Sequence, residues 1–270
     1  MVTKRQMRSA KKLKNLKKQR GKYPLLLEKV IDASDIVLEI LDARFPKEMQ
    51  NKEIERLITV QGKKIIHVLN KADLTRKHAR VFDSQIYVSC KSRKGIGDLR
   101  NKIKMEATKI KQTSEFRRVQ VGVIGYPNTG KSSVINLLTG KSSARTASEA
   151  GFTKGIQKLR LSEDIHLLDS PGVIPTDKYS MINNEKIAQQ VKVGGVSYNQ
   201  VKHPEITLNE IVKTNKKDLE MFYKIKFEDA EELMEIMGKK KNLLKKGGEV
   251  NSDSVAREIL KDWQTGSIMI

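Results

Sequence analysis

Along the first two thirds of the chain, short apolar runs alternate with segments of helical periodicity. The runs Ile36–Leu41, Lys64–Leu69, Gln85–Val88, Val119–Ile124, Gln157–Leu161 and Ile165–Leu168 read as strands. Several are near-continuous in Val, Ile and Leu, as strands buried on both faces should be. Between them, Asn51–Val60, Gly97–Lys109 and Ser132–Leu138 read as helices. Pro24 suits the first turn of another, through Leu25, Leu26, Leu27, Val30 and Ile31. Such alternation predicts an α/β fold with a doubly wound, mostly parallel sheet. After about Ser180 the strands stop. Ala230, Leu233, Met234 and Met237 fall at i, i+3, i+4 and i+7 behind a cap at Asp229. Val255, Ile259, Leu260 and Trp263 repeat the spacing behind Asn251–Asp253, with Gly247-Gly248 between the two helices. The pattern predicts an α/β domain over 23–180 and a smaller all-helical domain over 181–270.

Residues 1–22 fit neither domain. They hold ten Lys/Arg and no acid, and their apolar residues make a poor helical stripe. Such a tail repels itself and is expected to stay disordered until it meets an anion. The whole chain carries a formal net charge of +21, which makes a polyanion the first partner to consider. Cys90 is the sole cysteine, so no intramolecular disulfide can form and a reducing, cytoplasmic location is expected. His67, His78, His166 and His203 show no metal-ligand spacing, and with one Cys no zinc site is expected. No apolar run reaches the roughly 18–20 residues needed to cross a bilayer. No secretory signal, lipidation motif or amphipathic anchor supports a membrane partner. A monomer is expected.

The chemistry gathers at strand ends. Gly125-Tyr126-Pro127-Asn128-Thr129-Gly130-Lys131-Ser132 fits G-x-x-x-x-G-K-[ST], follows one strand and opens a helix. Glycines there let backbone N–H groups close on a β-phosphate, and the helix N-terminus adds its positive end. Asn128, Thr129, Gly130, Lys131, Ser132 and Ser133 are therefore candidate phosphate contacts. Lys131 would neutralise the β- and γ-oxygens, and Ser132 would ligate Mg²⁺. Asn70-Lys71-Ala72-Asp73 has the N-K-x-D form and ends another strand. A carboxylate at Asp73 can accept from guanine N1–H and N2–H₂, donors that adenine lacks, which selects GTP/GDP. Ser89-Cys90-Lys91 is similar to the S-A-K loop that offers backbone N–H to guanine O6. Asp169-Ser170-Pro171-Gly172 has the D-x-x-G form, with Asp169 facing Mg²⁺ through water and the Gly172 N–H facing the γ-phosphate. Gly151–Gly155 offers Thr153 as a second Mg²⁺ hydroxyl, with Thr146 as the rival. Lys131, Thr153 and Gly172 are thus the candidate catalytic residues. All these sites lie where an open α/β sheet binds its ligand.

Their order is permuted: the base-reading motifs precede the phosphate-reading ones. The chain thereby resembles the circularly permuted GTPases of the YlqF/RbgA (YawG) type, which act in large ribosomal subunit assembly. The likeness rests on the basic N-terminus, Asp42-Ala43-Arg44, Asn70–Asp73, Gly125–Ser133, Asp169–Gly172, and Gly247-Gly248 followed by the stretch Ala256–Gly266. It implies a Rossmann-like G domain, an RNA-binding helical domain, GTP with Mg²⁺, and ribosomal RNA of the large-subunit precursor as partner. Asn128 is similar to the P-loop asparagine of potassium-activated GTPases, which implies K⁺. Val173 and Ile174 stand where many GTPases carry the water-positioning Gln, a hydrophobic replacement that the family shares. With the D-x-x-G loop leading into residues 181–270, nucleotide state is expected to set the placement of the helical domain.

Overall fold

A computed structural model describes residues 23–76, 78–111, 118–140, 156–170, 188 and 191–269. The tail 1–22, the Thr146/Thr153 segment and Pro171–Ile174 lie outside the described residues. Helix α1 (Tyr23–Ala33) leads into β1 (Ile36–Asp42), a short α2 (Pro46–Met49), α3 (Lys52–Val60) and β2 (Lys64–Asn70). There follow β3 (Gln85–Tyr87), α4 (Ile96–Lys111), β4 (Val119–Gly125), α5 (Lys131–Thr139), β5 (Gln157–Arg160) and β6 (Ile165–Asp169). The strands form one sheet in the order β3-β2-β1-β4-β6-β5. Every pairing is parallel except β5 with β6. The strand expected at Gln157–Leu161 is thus the antiparallel edge, with exposed Gln157, Lys158 and Arg160 that suit an edge better than a centre.

Central β1 is buried at all seven positions, and its alternation assigns the two faces. Ile36, Leu38 and Ile40 pack with Leu99 and Ile103 of α4 and Val134, Ile135 and Leu138 of α5. Val37 points the other way, into a cluster with Val30 and Ile31 of α1 and Ile58 of α3. Gly122 of β4 lets α1 come close, since a Cβ there would overlap the Ser34 hydroxyl.

The helical part comprises α6 (Pro204–Tyr223), α7 (Ala230–Lys240) and α8 (Ser252–Thr265). The expected caps are in place. Asp229 accepts from the Glu232 N–H at 2.9 Å and Asn251 from the Ser254 N–H at 3.2 Å, each cap worth about 1 kcal/mol. The spacing did not reveal α6. Its polar run Lys213–Asp218 breaks the apolar stripe, and Asn215 leaves helical geometry (φ −132°). Leu208, Ile211, Val212 and Leu219 are nevertheless buried.

The helical part also shares a core with the sheet. Leu41, Phe45, Met49, Leu69 and Tyr126, at the carboxyl ends of the strands, form one buried cluster with Leu208, Leu233, Leu260 and Trp263. The helices therefore seat on the edge where the motifs emerge.

Candidate nucleotide site

Five parallel strands end on this edge, and four of them deliver a sequence motif. Asn70, the last residue of β2, ties two motifs together. Its Nδ2 donates to the Thr129 carbonyl at 2.7 Å, and its Oδ1 accepts from the Cys90 N–H at 3.4 Å. The approach is so close that a Cβ at Gly130 would overlap Asn70 Nδ2. Gly130 also takes φ +89°, so glycine is required there on two counts. Base loop and phosphate loop are thereby held at a fixed separation.

On the base side, Asp73 sits in a 3₁₀ turn (Ala72–Leu74) and accepts from the Ser89 hydroxyl at 2.5 Å. The same hydroxyl accepts from the Ser92 N–H at 3.1 Å, which fixes the Ser89-Cys90-Lys91 loop beside the carboxylate. Burial pushes the Cys90 thiol up to about 11, so it remains neutral at physiological pH. Lys71 adopts a left-handed backbone (φ +60°), and its ammonium lies 3.0 Å from Asp42.

On the phosphate side, Lys131 and Ser132–Ser133 head α5 directly behind the loop. The Lys131 ammonium donates to the Gly125 and Tyr126 carbonyls at 3.0 and 2.6 Å. Burial pushes it down to about 8, with Asp169 opposing the shift. Asp169, at the end of β6, is 1% exposed, and its Oδ1 has no hydrogen-bond partner among the described residues. Burial pushes its carboxyl up to about 6, opposed by Lys131. Each charge offsets only part of the other's cost of burial. An orphaned buried carboxylate oxygen at the end of β6 fits a hard divalent ion such as Mg²⁺.

A pH test follows. A carboxylate binds a cation only when ionised, so Mg²⁺ must displace a proton from Asp169 at acid pH. Mg²⁺ affinity in the presence of nucleotide should fall roughly tenfold per pH unit below about 6. Asp169→Asn should show weak Mg²⁺ binding without that slope. Mg²⁺ titrations of a fluorescent guanine nucleotide across pH would measure both.

One connection was not legible as such. Burial alone would raise the Asp42 carboxyl, but Lys71 and Arg44 hold it well below the carboxylate range. Arg44 donates to both Asp42 oxygens at 3.0 and 2.9 Å, and through Nη1 to the Trp263 carbonyl at 2.8 Å. Trp263, fully buried and stacked on Phe45, donates to the Lys192 carbonyl at 3.1 Å. Gln264 bonds the Val191 and Val196 carbonyls at 2.8 and 2.7 Å and accepts from the Tyr198 N–H at 3.0 Å. The turn so held reaches the phosphate loop, because Asn128 Nδ2 donates to the Gly194 carbonyl at 2.9 Å. The base loop and the phosphate loop are thus each joined to α8.

The fold is shared with solved structures. YlqF from T. maritima bound to GNP matches with a TM-score of 0.61 at 21% identity, over 92% of this chain and 97% of that one. The GDP-bound form of that protein matches at 0.62 and 22%. The chain shares the fold of YlqF. A family model described as 50S ribosome-binding GTPase matches residues 120–226. A GTP-binding protein of Methanocaldococcus jannaschii is 38% identical over 254 residues, 90% of this chain and 65% of that protein. Nucleolar GTP-binding protein 2 of Saccharomyces cerevisiae is 35% identical over 90% of this chain and 51% of its own length. The chain therefore spans about half to two thirds of the length of these two relatives, and it is related to GTP-binding proteins. Among the described residues, no helix is long and apolar enough to cross a membrane.

Proposed function

We propose that the chain binds GTP with Mg²⁺, hydrolyses it slowly to GDP and phosphate, and acts as a nucleotide-controlled factor in large ribosomal subunit assembly. The observation that carries GTP binding is Asn70, which locks the guanine-reading and phosphate-reading loops together over one sheet edge. Within that frame Asp73 reads the base, Ser89, Cys90 and Lys91 cover O6, and Asn128 to Ser133 wrap the phosphates. Mg²⁺, when bound, offsets charge between the β- and γ-phosphates. Ser132, Asp169 and Thr153 are proposed to hold it, and Gly172 to face the γ-phosphate. Lys131 would leave the loop carbonyls for the phosphate oxygens, an exchange that relieves its buried charge. K⁺ belongs to the same proposal: with Asn128 Nδ2 committed to Gly194, Oδ1 is left as a cation acceptor.

Ribosomal RNA as partner is supported by the net charge of +21, and the same reading takes the chain to be monomeric and cytoplasmic. The RNA partner is supported too by the names of the family model and the nucleolar relative. Val173 and Ile174 at the usual water-positioning place favour slow turnover in isolation, so the partner should stimulate it. The test is turnover with and without large-subunit particles, in matched KCl and NaCl. Acceleration by particles, greater in KCl, is expected. No acceleration would leave an RNA-binding factor that holds GTP as a structural ligand.

A further inference from the structure

Behind the phosphate loop, three residues far apart in the chain converge on one point. Glu39 of β1 and His67 of β2 are directly paired across the parallel ladder, so both face the side of the sheet covered by α1 and α3. Glu55, from the first turn of α3, comes down on the pair. His67 Nε2 lies 3.1 Å from Glu55 Oε1 and 3.5 Å from Glu39 Oε2, and all three donor atoms fall within 4.8 Å of one another. Each carboxylate uses its other oxygen elsewhere. Glu39 Oε1 accepts from the Asn51 N–H at 3.3 Å, and Glu55 Oε2 accepts from Gln50 Nε2 at 2.7 Å. Glu39 Oε2 has no hydrogen-bond partner among the described residues, on a side chain only 3% exposed.

We infer that Glu39, Glu55 and His67 form a site for a four-coordinate transition-metal cation of the Zn²⁺ type. Metal–ligand bonds of about 2.0–2.2 Å put tetrahedral ligand atoms about 3.3–3.6 Å apart. Of the two separations from His67 Nε2, the 3.5 Å to Glu39 lies within that range and the 3.1 Å to Glu55 falls just short of it. Imidazole with carboxylates is a donor set that suits Zn²⁺ over Mg²⁺, whose preference is an all-oxygen octahedron. Gln50 and the Asn51 N–H supply the outer bonds that orient metal-binding carboxylates. A cation would also answer the charge problem, because burial and the adjacent Glu55 otherwise push the Glu39 carboxyl well above its usual range. Glu39 also lines a small cavity with Asn51, Gly125 and Tyr126, and the fourth ligand of the ion would be a water. His67 and Glu55 are 12% and 17% exposed, which leaves an entry path. Such an ion would pin the start of α3 to the sheet beside the phosphate loop. The chain order hid this site: no short ligand spacing links residues 39, 55 and 67, and only the parallel register and the α3 crossover bring them together.

The experiment uses the full chain saturated with Mg²⁺ and GDP, so that the nucleotide site is filled. Co²⁺ is titrated as the spectroscopic probe and then displaced with Zn²⁺. The expected result is one equivalent of Co²⁺ with the intense visible bands of four-coordination, abolished by Zn²⁺. Glu55→Gln and His67→Gln should each lose the bands, and Gln50→Ala should bind roughly 10–100-fold more weakly. Asp169→Asn should keep the bands, which separates this site from the Mg²⁺ site. Absence of the bands in the wild type, or their persistence in both Glu55→Gln and His67→Gln, would overturn the assignment and leave a proton-sharing cluster.

Discussion

Asp73→Asn should exchange guanine for xanthine nucleotide. The Asp73 carboxylate offers two acceptors to two donors that guanine presents together. With asparagine, one acceptor becomes an NH₂ group that opposes guanine N2–H₂ and suits the 2-oxo group of xanthine. A site built around hydrogen bonds rejects a mismatched partner by about 10⁴–10⁵-fold, because buried polar groups are left unpaired. GTP affinity should fall on that scale and xanthosine triphosphate affinity should rise, read by competition against a fluorescent nucleotide. The Ser89 hydroxyl already donates to Asp73 at 2.5 Å, and asparagine can still accept that bond through its oxygen, so the loop geometry should survive. Unchanged GTP binding by Asp73→Asn would show that residues 70–73 do not read the base.

The motifs that this prediction uses were legible because each is a short contiguous string whose chemistry demands particular residue types. The strands were legible for a related reason: β1, β2, β4 and β6 are apolar runs buried on both faces, and burial leaves little choice of residue. What stayed hidden depends on contacts distant in sequence. Residues 213–218 of α6 are polar because that stretch mostly faces solvent around the Asn215 kink, so no continuous stripe betrays the helix. Asp42-Ala43-Arg44 could be noted as a family resemblance, yet nothing in the string says that Arg44 reaches Trp263, 219 residues away. Glu39 offered the one local clue, a carboxylate in the middle of an otherwise apolar strand, but its partners come from α3 and β2.

Those distant contacts bear on how nucleotide state would reach the helical part. The sequence pointed to the chain leaving Asp169–Gly172, of which residues 171–187 lie outside the described structure. Two further connections are in view: Asn128 to Gly194 from the phosphate loop, and Lys71 to Asp42 to Arg44 to Trp263 from the base loop. Both end on α8, so nucleotide that shifts either loop would also move the helices. If the placement favoured by GTP fits a ribosomal particle better, the GTP form must bind particles more tightly than the GDP form. Linkage then requires particles to tighten GTP relative to GDP by the same factor, about 5–150-fold for coupled sites. Arg44→Lys is the informative variant. Lysine keeps a cation beside buried Asp42, avoiding the roughly 3–5 kcal/mol cost of an abandoned partner, but it lacks the planar fork that serves Asp42 and Trp263 together. The coupling factor should therefore drop severalfold in Arg44→Lys, while its thermal midpoint falls by only several degrees for the buried hydrogen bonds lost. Particle affinity for the GTP-analogue and GDP forms, with nucleotide affinity measured with and without particles, gives the factor twice over. An unchanged factor in Arg44→Lys would assign the coupling to the chain beyond Asp169, and equal particle affinities in the wild type would remove the switch altogether.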